Sequence, residues 1–205
     1  MLTKVLRKTA IAIALAAPLA GFAESNFQSG AGALTGTARL DFQITIPKTL
    51  FLQVGTGSAN ATNATINQIA FSVPAANVGD SSVIAATAGS GDLGNGTVTA
   101  KVLGNNGTIT FSSTTIGALS NGAGDSISYG QIGTASVTNT TATVLAHPAL
   151  ADGATTTISL TPVGKVVNQD AKWTYTYKNQ SIVAPGTYGG VNANNSRVTY
   201  TAAMP

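Results

Sequence analysis

Leu34-Thr35-Gly36-Thr37-Ala38-Arg39-Leu40-Asp41-Phe42-Gln43-Ile44-Thr45-Ile46 alternates without a break. One parity carries Leu34, Gly36, Ala38, Leu40, Phe42, Ile44 and Ile46; the other carries Thr35, Thr37, Arg39, Asp41, Gln43 and Thr45. Side chains in a β-strand point to opposite faces with period two, so this run predicts a long strand with one apolar face. Pro47 ends it, because proline cannot donate to a ladder.

The rest of the 205-residue chain repeats that grammar: β-branched runs punctuated by Gly, Asn and Pro clusters. Strands are expected at Leu50 to Val54, Ile66 to Val73, Thr97 to Leu103, Thr108 to Ser113, Ser126 to Ile132, Thr134 to Leu145, Thr155 to Val163, Lys172 to Asn179 and Arg197 to Ala202. The turn Gly104-Asn105-Asn106-Gly107 contains an Asn-Gly step suited to positive φ, which predicts a hairpin between its flanking runs. Beyond the N-terminus no run has the apolar period of an amphipathic helix. Many short strands at this spacing point to an all-β fold, a sandwich or a barrel.

Lys4, Arg7 and Lys8 precede an apolar run from Thr9 to Phe22 that closes on small residues. These are the three regions of a signal peptide, with cleavage expected after Ala23 and no membrane span left in the mature chain. Ser25 to Ala33, with its glycines, then reads as a flexible leader. The formal net charge of +3 comes from the signal: removing residues 1–23 takes three of the ten basic residues and leaves seven against seven acids. No basic patch remains for a phosphate backbone, so nucleic acid is not expected as a partner. Charged residues make up 8% of the chain, against about 25% in soluble domains. The surface is therefore rich in hydroxyls and amides and tolerates side-by-side association. With no cysteine, β-pairing and the core alone must hold the exported fold.

Candidate chemistry is sparse. His147 is the single histidine, in Ala146-His147-Pro148, which removes any scheme built on paired imidazoles. Gly124-Asp125-Ser126-Ile127 resembles the serine block of Gly-Asp-Ser-Leu hydrolases, but Val144 stands where that family has an Asp before its histidine. Ser126 thus lacks an oriented base. Asp92 and Asn95, in Gly91 to Gly96, offer one carboxylate to a Ca²⁺ that wants six to eight oxygens, which is more a turn than a site. Trp173, Tyr175 and Tyr177 share one strand face opposite Thr174, Thr176 and Lys178. That ridge is either a core face or a platform for sugar rings. No catalytic residue, metal ligand or cofactor is expected. A membrane barrel would also alternate, but the chain lacks paired aromatic girdles and a terminal aromatic.

Two regions resemble the spore coat U and archaic chaperone-usher pilus subunits. One is Leu34 to Phe42 continuing through Leu52-Gln53-Val54-Gly55-Thr56; the other is Ala184-Pro185-Gly186-Thr187-Tyr188 followed by Arg197-Val198-Thr199-Tyr200-Thr201. The resemblance implies an immunoglobulin-like antiparallel sandwich lacking one strand, which the N-terminal segment of the next subunit supplies. On that footing residues 24–37 are leader and donor, with Phe27, Leu34, Gly36 and Ala38 pointing inward, and 38–205 are the domain, with Arg39 to Ile46 as its own first strand. It also implies head-to-tail partners of the same chain, a periplasmic chaperone and an outer-membrane usher, and passage through the periplasm to the cell surface. The chain departs from the family in having no cysteine and in the Gly189 to Ser196 segment before its last strand. The expected function is a structural subunit of a surface filament, a pilus or biofilm matrix fibre. The alternative is a secreted carbohydrate-binding module using Trp173, Tyr175 and Tyr177.

Overall fold

The computed structural model describes residues 25–205; the expected signal peptide, residues 1–23, lies outside the described residues. The chain divides into two units at Ile46 and Pro47, and each is described by itself.

The second unit is all-β and antiparallel. Its strands are β1 (Leu50–Val54), β2 (Ile84–Ala85), β3 (Thr97–Gly104), β4 (Ile109–Thr114), β5 (Leu119–Ser120), β6 (Ser126–Ile127), β7 (Ile132–Val137), β8 (Thr155–Leu160), β9 (Val167–Tyr177) and β10 (Thr199–Ala203). One sheet runs β1-β3-β9, with β2 continuing beside β9 and β7 also pairing β9. The other runs β10-β4-β8, and β5 and β6 form a small ribbon.

The two larger sheets pack face to face as a β-sandwich. Val98, Ala100 and Val102 of β3 and Val167, Ala171, Trp173 and Tyr175 of β9 meet Ile109 and Phe111 of β4 and Leu160 of β8. Each follows from period two, β3 reading buried at every second residue. Phe111 stacks on Trp173 with ring centroids 6.0 Å apart, and the Trp173 indole N–H donates to the Leu145 carbonyl at 2.8 Å. Fully burying one such aliphatic or aromatic side chain contributes roughly 1.5–3 kcal/mol.

Four expectations are corrected. The run Leu34 to Ile46, read as a strand with one buried face, is extended, wholly exposed and outside any strand. Arg39 to Ile46 forms no strand in this structure, and the second compact unit begins at Pro47. The turn Gly104 to Gly107 closes no hairpin: β3 pairs β1 and β9, whereas β4 pairs β10 and β8. It is an arch from one sheet to the other, tied by Asn105, whose Oδ1 accepts from Thr49 N–H and whose amide donates to the Pro47 carbonyl. A Cβ on Gly104 would meet Ile109 Cδ1 at 2.7 Å and Met204 Sδ at 2.9 Å, so a larger residue there would have to push aside the ends of those two side chains. Finally, Ile66 to Val73 forms one bridge, Phe71 to Ala86, and the expected Thr134 to Leu145 strand stops at Val137. The chain then loops over Asp170 before Val144 makes a parallel bridge to it.

Candidate subunit interface: an alternating arm and a tyrosine-lined groove

The described part of the first unit, residues 25–46, is an arm. A bend at Gly30 to Gly32 lets the Gln28 side chain accept from Thr35 N–H at 3.4 Å. Beyond it the chain runs extended with its apolar parity in the open: Phe42 and Ile44 are each 84% exposed, and Phe27 is 91% exposed. Leu34, Leu40 and Ile46 are exposed as well, as are Gly36 and Ala38. Exposed rows of large apolar side chains of this kind are what interaction surfaces commonly present.

The second unit holds a groove of about 1130 Å³. Its floor comes from the ends of β1, β3 and β9, through Leu52, Val54, Val98, Tyr175 and Tyr177. One rim is the 65–73 segment, with Ile69 and Phe71; another is Arg197 to Tyr200, which leads into β10. All five tyrosines of the chain, Tyr129, Tyr175, Tyr177, Tyr188 and Tyr200, line it. β10 is an edge strand, paired with β4 on one side only, so its outer backbone groups stand ready to accept another strand.

The groove is shaped by hydrogen bonds that turn its hydroxyls inward. Tyr175 and Tyr200 hydroxyls lie 3.0 Å apart, and His147 Nε2 sits 3.1 Å from the first and 2.6 Å from the second. The Tyr129 hydroxyl donates to the Asn195 carbonyl at 2.8 Å. Burial pushes the Tyr129 and Tyr175 hydroxyls up to about 12, and Tyr200 well above its ordinary value. The floor is therefore uncharged at any ordinary pH and offers ring faces to an occupant.

The other candidate residues sort out as follows. Trp173 is fully buried, and Tyr175 and Tyr177 are 7% and 6% exposed, so this ridge is a core face whose outer end floors the groove. His147 is held by the two tyrosine hydroxyls and packs edge-on against Trp173 at 4.6 Å between ring centroids. Ser126 lies in β6, paired with Ser120. Asp92 accepts from Thr99 N–H at 2.9 Å and so closes its glycine-rich turn. Among the described residues no helix is long and apolar enough to cross a membrane.

The sequence singles out Tyr175 and Tyr177 as one strand face and places Tyr188 and Tyr200 in the segments that carry the resemblance; that all five tyrosines converge depends on pairings far apart in the chain. Comparison with protein-family models, with curated proteins and with solved structures finds no match.

Proposed function

We propose that this chain is a non-enzymatic structural subunit of a surface filament, a pilus or matrix fibre, exported through the periplasm and joined head to tail by strand donation. One observation carries the reading: the same chain presents an exposed arm with an apolar parity and a domain with an open apolar groove beside an edge strand. An extended segment added to a sheet edge gains ladder hydrogen bonds from its backbone and specificity from alternate side chains entering pockets. The resemblance of the arm and of Ala184 to Thr201 to archaic chaperone-usher pilus subunits supports the same assignment. On that resemblance a periplasmic chaperone would cover the groove until an usher delivers the next arm.

The donor is sharpened relative to the sequence reading. Leu34, Gly36 and Ala38 stay in it, and Leu40, Phe42, Ile44 and Ile46 join them, because the whole run up to Pro47 is exposed and unpaired among the described residues. Phe27 precedes the glycine bend and stands outside this continuous register. Trp173 is fully buried and only the edges of Tyr175 and Tyr177 reach the groove, which favours the filament reading over the carbohydrate-binding alternative.

The test is made on the full mature chain. Wild type is expected as filaments by electron microscopy, and Phe42→Asp as soluble monomers whose melting temperature rises on adding a peptide of residues 34–46. Filaments formed equally by Phe42→Asp, or a monodisperse wild-type monomer indifferent to the peptide, would reject the reading.

A further inference from the structure

The outward face of the β10-β4-β8 sheet carries a regular pattern that, apart from Thr199 at the rim, the groove does not use. Register places Thr199 beside Thr114 and Thr155, Thr201 beside Ser112 and Thr157, and Ala203 beside Thr110 and Ser159. Eight of these nine positions bear a hydroxyl and none bears a charge. The outward face of the other sheet differs, with Lys101 on β3 and Lys172 on β9.

We infer that this hydroxyl lattice is a lateral contact surface between filaments, its occupant being the same face of a second copy. The inference rests on the filament reading above. A hydroxyl is both donor and acceptor, so a face made of them is complementary to itself, whereas a charged face needs a partner of opposite sign. Threonine side chains on strands are stiff at χ1, which keeps the lattice in order, and Thr114 Oγ1 is 2.8 Å from Thr155 Oγ1. The side chains are short, so two sheets can approach closely. A sugar polymer is the poorer occupant, since the face has no aromatic ring to stack on it. An arm seated along β10 would put its Arg39 and Asp41 at the margin of this face, where charges remain solvated.

Size decides how the surface works. Three strands about 4.8 Å apart, rising about 3.4 Å per residue over about five residues, give a face of about 250 Å². A stable interface buries roughly 800 Å² per partner. Two isolated copies therefore do not pair through it. A filament repeats it at every subunit, and the second and later contacts form at high effective concentration. Bundles of filaments follow, without dimers of the monomer.

The test compares wild type with Thr157→Lys/Ser159→Lys, both on β8, away from the groove and exposed. Electron microscopy and low-speed sedimentation are the readouts, and an unchanged melting temperature confirms folding. Wild type is expected as bundles that pellet; the double lysine variant is expected as single filaments, with the pelleted fraction reduced several-fold. The hydroxyl-preserving Thr157→Ser/Ser159→Thr variant is expected to bundle. Single filaments in wild type, or bundles undiminished by the lysines, overturn this proposal and leave strand donation standing. Absence of wild-type filaments overturns both. Capture of wild-type filaments on microcrystalline cellulose, lost with the lysines, would reassign the face to polysaccharide.

Discussion

His147 Nε2 lies 2.6 Å from the Tyr200 hydroxyl, joining the connection between β7 and β8 to the edge strand that borders the groove. Its other ring nitrogen, Nδ1, is buried and meets no hydrogen-bond partner among the described residues. Burial holds the imidazole down to about 4. In the unfolded chain it takes a proton near its ordinary value of 6.5. Between those values the unfolded state binds a proton that the native state refuses, so stability is complete above about 6.5 and declines as the pH falls toward 4. The loss reaches about 3 kcal/mol at the lower end, at roughly 1.4 kcal/mol per pH unit. Urea unfolding midpoints measured from pH 7.5 to 4.5 should fall in wild type and stay much flatter in His147→Gln.

Asp170 sets a second, more acidic window. Its side chain is 1% exposed, and burial alone would raise it. Hydrogen bonds from the hydroxyls and backbone N–H groups of Thr140 and Thr141 outweigh that and hold it at about 2. Its contribution is present above about 3.8 and is lost as the pH falls toward 2. Thr141→Ala removes one donor at 2.9 Å and the acceptor of the Asp170 N–H at 3.0 Å. A loss of about 1–3 kcal/mol follows from leaving buried groups unsatisfied, read as a lower urea midpoint at pH 7.

The core prediction separates volume from hydrogen bonding. Trp173 is fully buried, stacked on Phe111, and donates to Leu145. Trp173→Phe keeps a ring against Phe111 but orphans the Leu145 carbonyl and leaves a void. A destabilisation of about 2–4 kcal/mol is expected, combining an unmet acceptor with a partial cavity. Phe111→Leu, which breaks no hydrogen bond, should cost less in the same denaturant experiment, followed by circular dichroism.

The fold class was legible because period two survives translation into structure. Thr97 to Leu103, Leu50 to Val54 and Lys172 to Tyr177 are strands, and Trp173, Tyr175 and Tyr177 face the core as one parity. What period two does not contain is the identity of the partner. Gly104 to Gly107 has hairpin composition, yet Asn105 bonds Pro47 and Thr49, more than fifty residues earlier, and those contacts turn the chain across the sandwich. The same gap explains the arm. Leu34 to Ile46 reads as a half-buried strand, and within this domain nothing among the described residues pairs with it. On the proposed reading, a pattern that demands a buried face on a segment that has none is met by a strand pairing between molecules. The burial of Asp170 was invisible for a related reason: the loop that covers it comes from the region read as a continuation of β7.

That reading of the arm makes its sharpest prediction in alternation. If the run 34–46 enters a groove as a strand, tolerance must itself have period two. Leu40→Asp and Ile44→Asp would each bury a carboxylate against the tyrosine floor without a partner, a penalty of several kcal/mol that strand donation cannot absorb. Asp41→Lys and Gln43→Lys would place their charge on the solvent side of the same strand, where a surface charge changes little. Polymerisation followed by light scattering should therefore be abolished at 40 and 44 and retained at 41 and 43. Uniform loss at all four positions would mean that net charge or general stickiness governs assembly. Uniform tolerance would mean that the arm is only a tether. An alternating profile is expected solely when the backbone is extended and one face is enclosed, which ties the period read in the sequence to a contact between molecules.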